Sequence, residues 1–301
     1  MVYISVIITA YNRKQYLYSA INSVLNQTLD KKYYELIVIK NFNDNKIDEL
    51  IQKNGIKSIY INEKSLSIKI SKGLNVANGE IISFLDDDDQ FSSNKLEYIY
   101  NIFQNEKINY YHNDASIITE SGDLVRNKKL GIFVNLSCIS IRKRIIMPCV
   151  LNMVNRGIDI IMFLFALEHG GILEDKNKLT LYRLHDSVSH LITKNFLEYK
   201  NFELLTLDDT ITDFTNIKSK FKNKNSIDFI NAFLTSLIIK KYILQGINYK
   251  IPNLRFFISC KYFSFKSRFV YVFIIISLKI NKYLTLKIIS KLYEKFNYKM
   301  I

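Results

Sequence analysis

The chain has 301 residues, 48% of them apolar, so it is long enough to bury a substantial core, and disorder is excluded as its main state. Its 42 Lys and Arg outnumber its 28 Asp and Glu, giving a net charge of +14, which raises nucleic acid and anionic membranes as partners. Trp is absent, and the three scattered Cys lack CxxC or Cys/His spacing; a disulfide framework and a structural zinc are therefore disfavoured, and a reducing, cytoplasmic setting is indicated.

Apolar runs of strand type alternate with helical patterns through the first half of the chain. The predicted strands are residues 3–9, 35–39, 57–61 and 80–85, and the predicted helices are residues 13–26, 44–53 and 65–77. Strands that alternate with helices of this length predict an α/β fold, a mostly parallel sheet with helices on both faces. Ligands of such sheets bind beyond the carboxyl ends of the strands.

The predicted pattern of secondary structure changes twice in the second half of the chain. Residues 108–141 predict hairpin-like strands around Ser121-Gly122-Asp123, followed by a helix over residues 157–169 and a strand over residues 172–182. After a boundary near residue 195, the helical pattern continues through four predicted helices, residues 196–208, 226–244, 253–266 and 268–296, with a polar linker at 218–225. We therefore expect two domains, residues 1–195 and residues 196–301.

Four adjacent carboxylates, Asp86–Asp89, directly follow an apolar strand. Adjacent carboxylates repel one another unless a positive charge compensates them. A solvated acidic loop that merely ends a strand is the alternative interpretation. Their position at the carboxyl end of a central strand instead favours a site for Mg²⁺ or Mn²⁺ that bridges to a diphosphate, because these cations prefer carboxylate and phosphate oxygens.

Four segments, in order, resemble family 2 glycosyltransferases with the GT-A fold, over roughly residues 3–190. They are Ser-Val-Ile-Ile-Thr-Ala-Tyr-Asn at residues 5–12, followed by Leu17 and by Ser-Val-Leu-Asn-Gln at 23–27; Ala-Asn-Gly-Glu-Ile-Ile-Ser-Phe-Leu-Asp-Asp-Asp-Asp at 77–89; Gly-Ile-Asp at 157–159; and Tyr-Arg-Leu-His-Asp-Ser-Val-Ser at 182–189. The resemblance implies a GT-A (Rossmann-like) sheet followed by a basic helical C-terminal region.

The resemblance also assigns roles to individual residues. It implies that Tyr11 and Asn12 border the nucleotide pocket, that Asp86 lies on the ribose side, and that Asp88 of the DxD motif holds the metal. Asp159 resembles the catalytic base, although an acid that favours the helix dipole is the alternative. Arg183 and His185 resemble the segment that closes over the diphosphate, with a solvated strand-edge pair as the alternative.

Two departures from the family pattern bear on the substrate. The segment Lys40-Asn-Phe-Asn-Asp44 stands where the family usually has Asp-Asp-Gly-Ser, so the carboxylate expected at the nucleobase is missing or displaced. Asn41 or Asn43 could hydrogen-bond a base edge, Asp44 could cap the following helix, and Lys40 could reach a phosphate. A chain without Trp also lacks the Gln-x-x-Arg-Trp motif of processive members, which disfavours a polymer synthase.

The C-terminal region carries most of the charge. Residues 229–301 contain 13 Lys and Arg against one acid, Glu294, whereas residues 1–228 contain 29 basic and 27 acidic residues. Basic and apolar residues interleave there as in a helix lying on an anionic membrane; an amphipathic helix packed on the protein's own core is the alternative. The longest uncharged apolar stretch, residues 269–278, is about half of the roughly 20 residues that a membrane span needs. We predict neither a signal peptide nor a transmembrane helix.

These observations predict a metal-dependent, inverting, non-processive glycosyltransferase of the hexosyltransferase type. Its expected partners are a nucleotide-sugar donor, a glycan or polyprenyl-linked acceptor and the anionic inner face of the cell membrane, with no nucleic acid. A sugar nucleotidyltransferase is one alternative, although residues 9–15 lack the Gly that its basic loop requires. The other alternative is a non-catalytic, basic membrane-binding protein with a degenerate GT-A domain.

Overall fold

The computed structural model describes residues 2–125, 135–185 and 196–245. The chain divides into two compact units, with the division after His185. The first is an α/β unit, and the described part of the second is helical. The predicted domain boundary at residue 195 adjoins residues outside the described ranges and stays a prediction.

Eight strands and six helices make up the described part of the first unit. In chain order they are β1 (Ile4–Thr9), α1 (Leu17–Leu25), β2 (Tyr34–Lys40), α2 (Asn45–Lys53), β3 (Lys57–Tyr60), α3 (Leu66–Val76), β4 (Ile81–Asp86), β5 (Gln90–Phe91), α4 (Lys95–Ile102), β6 (Tyr110–Ile118), β7 (Ile139–Arg142), α5 (Pro148–Leu151), α6 (Ile158–His169) and β8 (Ile172–Arg183). Each strand and helix predicted for residues 3–85 is present, with its ends shifted by a few residues.

The strands form one sheet in the order β3-β2-β1-β4-β7-β6-β8-β5. Strands β1 to β4 are mutually parallel, β7 runs antiparallel to β4 and β6, and β8 is parallel to β6. The predicted fold class, a mostly parallel sheet flanked by helices, is confirmed. In register, Thr9 pairs with Ile39 on one side and with Asp86 on the other, so the carboxyl ends of β1, β2 and β4 meet at one edge.

Burial explains why the first elements form as they do. Every residue of β1 is buried, as expected for a central parallel strand covered on both faces. Helix α1 buries Leu17, Ala20, Ile21 and Val24, which recur at the i, i+3/i+4 spacing of one helix face. This apolar face packs in the core with residues of β1, β2 and β4.

The rest of the first unit contains the predicted elements and others that the sequence patterns did not predict. The turn at residues 119–123 closes with a hydrogen bond from the Thr119 N–H to the Asp123 carbonyl (2.9 Å) and an isolated bridge between Ile118 and Leu124. The predicted helix at 157–169 and strand at 172–182 are α6 and β8. Strand β5 and helix α4 lie in residues 90–107, for which the sequence patterns made no prediction.

The described part of the second unit consists of α7 (Phe196–Ile217) and α8 (Lys224–Gln245). The predicted end of the first helix, residue 208, is wrong. The helix continues past residue 208 because Phe214 and Ile217 are fully buried, while the Thr210 and Thr215 hydroxyls are satisfied within the helix by the carbonyls four residues earlier. The predicted helices at 253–266 and 268–296 lie outside the described residues. No helix among the described residues is both long and apolar enough for a membrane span.

Candidate active site

The acidic loop, Asp86–Asp89, lies between β4 and β5 at the carboxyl edge of the sheet. Carboxylate oxygens of Asp86, Asp88 and Asp89 all lie within 4.8 Å of one another. Asp86 and Asp88 are partly exposed, whereas Asp89 is buried. A set of oxygen ligands that is open on one side suits Mg²⁺ or Mn²⁺, which keep positions for phosphate oxygens. The predicted metal ligand, Asp88, and its neighbour Asp86 are thus together.

Burial disfavours the charged forms of Asp86, Asp87 and Asp89. It raises the pKa of Asp86 well above its usual range and the pKa of Asp89 to about 7, and the neighbouring carboxylates add to both effects. Burial also raises the pKa of Asp87 to about 6, although the Arg13 guanidinium counteracts it. The loop therefore concentrates negative charge that a bound cation would relieve.

Two cationic or polar groups contact Asp88 from different elements. The Arg13 guanidinium, from the loop after β1, forms ion pairs with Asp87 and with Asp88, where Nη2 lies 2.8 Å from Oδ2. His185 Nε2 lies 2.7 Å from the same Asp88 oxygen. The structure thus brings His185 to the acidic loop, while its contact with the diphosphate stays a prediction; it also adds Arg13, which the sequence patterns did not mark.

Arg183, at the end of β8, holds the acidic loop through hydrogen bonds. Its backbone N–H donates to Asp89 Oδ1 at 3.0 Å and its Nε donates to the Asp88 carbonyl at 2.9 Å. Its Nη1 donates to the carbonyls of Thr119 and Glu120, and the guanidinium lies 4.7 Å from the ring centroid of Tyr16. Because the Arg183 side chain is buried and these donors are engaged within the protein, the structure favours a role in holding the acidic loop in place. Contact of Arg183 with a phosphate stays a prediction.

The predicted nucleotide-side residues lie together at the ends of β1 and β2. Asn12 adopts a left-handed backbone conformation, with φ of 54°, which Asn tolerates better than most residues. The Asn12 N–H donates to Asn41 Oδ1 at 2.8 Å, and Asn41 Nδ2 donates to Asn12 Oδ1 at 2.6 Å. Beside them, the buried Lys69 places its ammonium 4.8 Å from the ring centroid of Tyr11.

The structure shows what two side chains of the altered segment, residues 40–44, contact. Asp44 caps α2 by accepting a hydrogen bond from the Ile47 N–H at 3.2 Å, so the capping role is confirmed. Lys40 is buried, and its ammonium donates to the Phe42 carbonyl and pairs with Asp48 at 2.8 Å. The Lys40 side chain thus contacts the start of α2. Asn43 is exposed, and its carbonyl accepts a hydrogen bond from Lys14.

Asp159 lies in the first turn of α6, where its carboxylate accepts a hydrogen bond from the Ile160 N–H at 3.0 Å. Burial raises its pKa to about 6, which is suitable for a general base near neutral pH. Within the described ranges, none of its hydrogen bonds or ion pairs reaches the acidic loop. Its role as base stays a prediction, and its position also fits the helix-dipole alternative.

Sequence reasoning missed several residues that contact the acidic loop or its partners. Arg13 could have been found, since it lies two residues after Tyr11 at the edge that carries four carboxylates. Tyr16 directly precedes α1, and its ring centroid lies 5.0 Å from that of His185. Asn135 and Ser137 contact Asp89 and Asp86 from a turn more than 45 residues away in sequence, and no local pattern marks them.

Comparison with known proteins finds a family match over the first half of the chain. Residues 5–150 match the family described as glycosyl transferase family 2. The poly(ribitol-phosphate) beta-N-acetylglucosaminyltransferase TarP of Staphylococcus aureus is 34% identical over 104 residues, 33% of this chain and 32% of TarP. A glycosyltransferase of Rickettsia bellii is 33% identical over 134 residues, 43% of this chain and 19% of that protein. The matches to the first three curated relatives cover only about a fifth of those proteins.

Solved structures support the fold independently. The crystal structure of S. aureus TarS 1–349 has a TM-score of 0.58 at 12% identity, over 99% of this chain and 93% of that one. The complex of TarS 1–349 with UDP-GlcNAc has a TM-score of 0.54, also at 12% identity, over 81% of this chain and 86% of that one. At such low identity the likeness shows the fold, which is that of the TarS structures.

Proposed function

From the match of residues 5–150 to glycosyl transferase family 2, we propose that the protein transfers a sugar from a nucleotide sugar to a glycan or lipid-linked acceptor. The observation that carries the proposal is the acidic loop, with the carboxylates of Asp86, Asp88 and Asp89 within 4.8 Å of one another at the edge where β1, β2 and β4 end. The TarS complex with UDP-GlcNAc makes a UDP-sugar the first donor to test, and the name of TarP makes poly(ribitol phosphate) the first acceptor.

The donor would lie across the carboxyl edge of the sheet. Tyr11, Asn12 and Asn41 border the nucleotide, and Asp86 faces the ribose. Asp88, supported by Asp86, would hold Mg²⁺ or Mn²⁺, which supplies positive charge opposite the leaving nucleoside diphosphate. Positive charge on Arg13, which already pairs with Asp88, adds to that stabilisation. His185, 2.7 Å from Asp88, orients its carboxylate.

Asp159 acts on the acceptor. Its carboxylate takes the proton of the acceptor hydroxyl while the acceptor oxygen bonds to the anomeric carbon and the bond from that carbon to the diphosphate oxygen breaks, with inversion. A polyprenyl phosphate acceptor has an oxygen that is already ionised at neutral pH, so with such an acceptor the base is dispensable. The two acceptor classes therefore differ in their need for Asp159.

The basic C-terminal region would hold the enzyme near a lipid-linked acceptor. We place the protein in the cytoplasm, peripheral to the inner face of the cell membrane, because residues 229–301 carry 13 basic residues against one acid and anionic lipids attract such segments.

The test measures release of nucleoside diphosphate from a panel of nucleotide sugars, with Mn²⁺ or Mg²⁺ and with poly(ribitol phosphate) or a polyprenyl phosphate as acceptor. We expect turnover with at least one donor, dependent on acceptor and metal. Release of pyrophosphate from a sugar phosphate and a nucleoside triphosphate would identify a nucleotidyltransferase instead. An absence of turnover with the whole panel would favour the non-catalytic alternative.

A further inference from the structure

A buried polar cluster contacts the segments that hold the acidic loop. It consists of Lys95, Asn113, Ser137 and Thr180, whose exposed fractions are all 0%. The Lys95 ammonium donates to the Ser137 carbonyl at 2.6 Å and to Thr180 Oγ1 at 2.9 Å. Thr180 Oγ1 donates to the same carbonyl at 3.0 Å and accepts a hydrogen bond from Asn113 Nδ2 at 2.9 Å.

Lys95 occupies an electrostatically unfavourable position. It is wholly buried, and burial lowers its pKa to about 7. It also begins α4, where the helix dipole disfavours a cation. The Phe91 ring, whose centroid lies 4.0 Å from the ammonium, compensates in part, and no carboxylate in the described ranges forms an ion pair with it. Burying this ammonium therefore costs free energy, which its hydrogen bonds have to offset.

Both acceptors of the Lys95 ammonium belong to segments that contact the acidic loop. The Ser137 hydroxyl accepts a hydrogen bond from the Asp86 N–H at 2.9 Å, and the Ser137 side chain counteracts the raised pKa of Asp89. Thr180 lies in β8 three residues before Arg183, whose backbone N–H and Nε hold Asp89 and Asp88. The Lys95 ammonium therefore connects the Ser137 turn to β8, the two segments that contact Asp86–Asp89.

We propose that Lys95 is a positioning residue for the metal site of the acidic loop and that it acts through Ser137. It touches neither donor nor acceptor. The role rests on the proposed function only in that the acidic loop must bind a divalent cation. Groups that hold ligating carboxylates in place typically affect metal affinity 10- to 100-fold.

The experiment measures the Kd of Mn²⁺ for the full chain, from the electron paramagnetic resonance signal of free Mn²⁺, without any nucleotide or turnover. Lys95→Met keeps the length and apolar stem but removes the donors, and we expect the Kd to rise by about 10- to 100-fold. Ser137→Ala should raise it similarly. In the double variant the Kd should rise no further than in Ser137→Ala, because residues that act as one unit are not additive.

Lys143→Met is the matched control. The Lys143 ammonium also donates to a backbone carbonyl, that of Ala77 at 2.7 Å, but near the opposite end of β4, so the Kd should not change.

Should Lys95→Met fail to fold, Thr180→Val removes one of the two acceptors of the Lys95 ammonium and should also weaken Mn²⁺ binding. Equal Kd values for wild type and Lys95→Met, or additive losses in the double variant, would overturn the positioning role alone. A wild-type chain that binds no Mn²⁺ would overturn it together with the proposed metal site.

Discussion

Two side chains from distant parts of the sequence contact one carboxylate oxygen of Asp88. Arg13 Nη2 and His185 Nε2 lie 2.8 and 2.7 Å from Asp88 Oδ2. Metal binding therefore has to displace or share these contacts, and a change at Asp88 affects the metal, Arg13 and His185 together. This makes Asp88 the most informative single residue of the acidic loop.

Asp88→Asn should lower turnover by about 10³-fold, since a metal ion contributes several kcal/mol of charge stabilisation in the transition state and 1.36 kcal/mol corresponds to tenfold in rate. EDTA should reduce wild-type turnover to a similar level, and added Mn²⁺ should restore it. Nucleoside diphosphate release is the measurement. Glu49→Gln, which changes an exposed carboxylate on α2, is the matched control and should leave turnover unchanged. Full wild-type activity in EDTA would contradict the metal site.

Asp159→Asn should lower the rate with a hydroxyl acceptor by roughly 10² to 10⁴ and leave donor affinity unchanged, which is the usual contribution of a positioned base. Because the base acts in its ionised form and the pKa of Asp159 is about 6, the wild-type rate should rise with pH through about pH 6 and then level off. Rate profiles between pH 4.5 and 8 test this. Unchanged turnover with a proven hydroxyl acceptor would remove Asp159 from the reaction.

The same carboxyl should also affect stability. Its folded pKa of about 6 lies above the ordinary value of 3.8, so between these pH values the folded state binds more protons than the unfolded state, and stability falls as the pH rises. Asp159→Asn should therefore unfold at a higher urea concentration than wild type at pH 7, with the difference shrinking below pH 4. A wild-type advantage at pH 7 would show that the ionised carboxylate is stabilised in the fold.

At the scale of elements, the segment just before β4 approaches β1 too closely for a side chain. A Cβ on Gly79 would lie 2.5 Å from the Ser5 nitrogen and 2.7 Å from the Ile4 carbonyl carbon. The Gly79 N–H also donates to the Ser5 hydroxyl at 2.8 Å. Since β1 pairs with both β2 and β4, a displacement there would disturb the centre of the sheet and the edge that carries the acidic loop.

Gly79→Ala should therefore lower the free energy of unfolding by about 1–3 kcal/mol, as overpacking in a rigid core does, and should weaken Mn²⁺ binding as well. Gly55→Ala is the control, because Gly55 has a φ of +62° but no atom within 4 Å of the added Cβ. That variant should lose about 1 kcal/mol through backbone strain and keep its Mn²⁺ affinity. Urea unfolding provides both free energies. A Gly79→Ala protein as stable as wild type would contradict the close approach of these segments.

At the scale of the whole molecule, the charge is divided unevenly along the chain. Replacing Lys279, Lys282, Lys287 and Lys291 with Gln should lower partitioning onto phosphatidylglycerol vesicles by up to about 10³-fold, because each lysine near an anionic surface contributes about 1 kcal/mol. Co-sedimentation is the measurement. These lysines lie outside the described residues, so the prediction rests on the sequence alone.

The control for that measurement replaces four exposed lysines of the first unit, Lys31, Lys53, Lys64 and Lys72, which changes the net charge equally. This control should partition like wild type, and neither protein should bind vesicles of phosphatidylcholine alone. Equal losses in both variants would mean that net charge, rather than the C-terminal region, drives the attraction. Unchanged partitioning of both would favour a C-terminal region that packs on the protein.

The sequence by itself determined the class of the fold and the place of the acidic loop. Strands such as β1 and β4 are buried on both faces and read as continuous apolar runs, and α1 repeats its apolar residues at helical spacing, so local patterns were sufficient. Asp86–Asp89 were identified for the same reason, since four adjacent carboxylates at a strand end are a local feature. Helix ends, as in α7, were less predictable because burial of Phe214 and Ile217 decides them.

Only the tertiary structure decided which residues surround that loop. Arg13, Arg183 and His185 reach Asp87–Asp89 across 74 to 97 positions of sequence, and Lys95 reaches Thr180 across 85. Contacts of this kind depend on the order and register of the strands, which composition and periodicity do not specify. Lys95 is a second example. A lysine at the start of a helix is ordinarily exposed, and only the packing of β5, β8 and the Ser137 turn around it buries its ammonium between segments that contact the acidic loop.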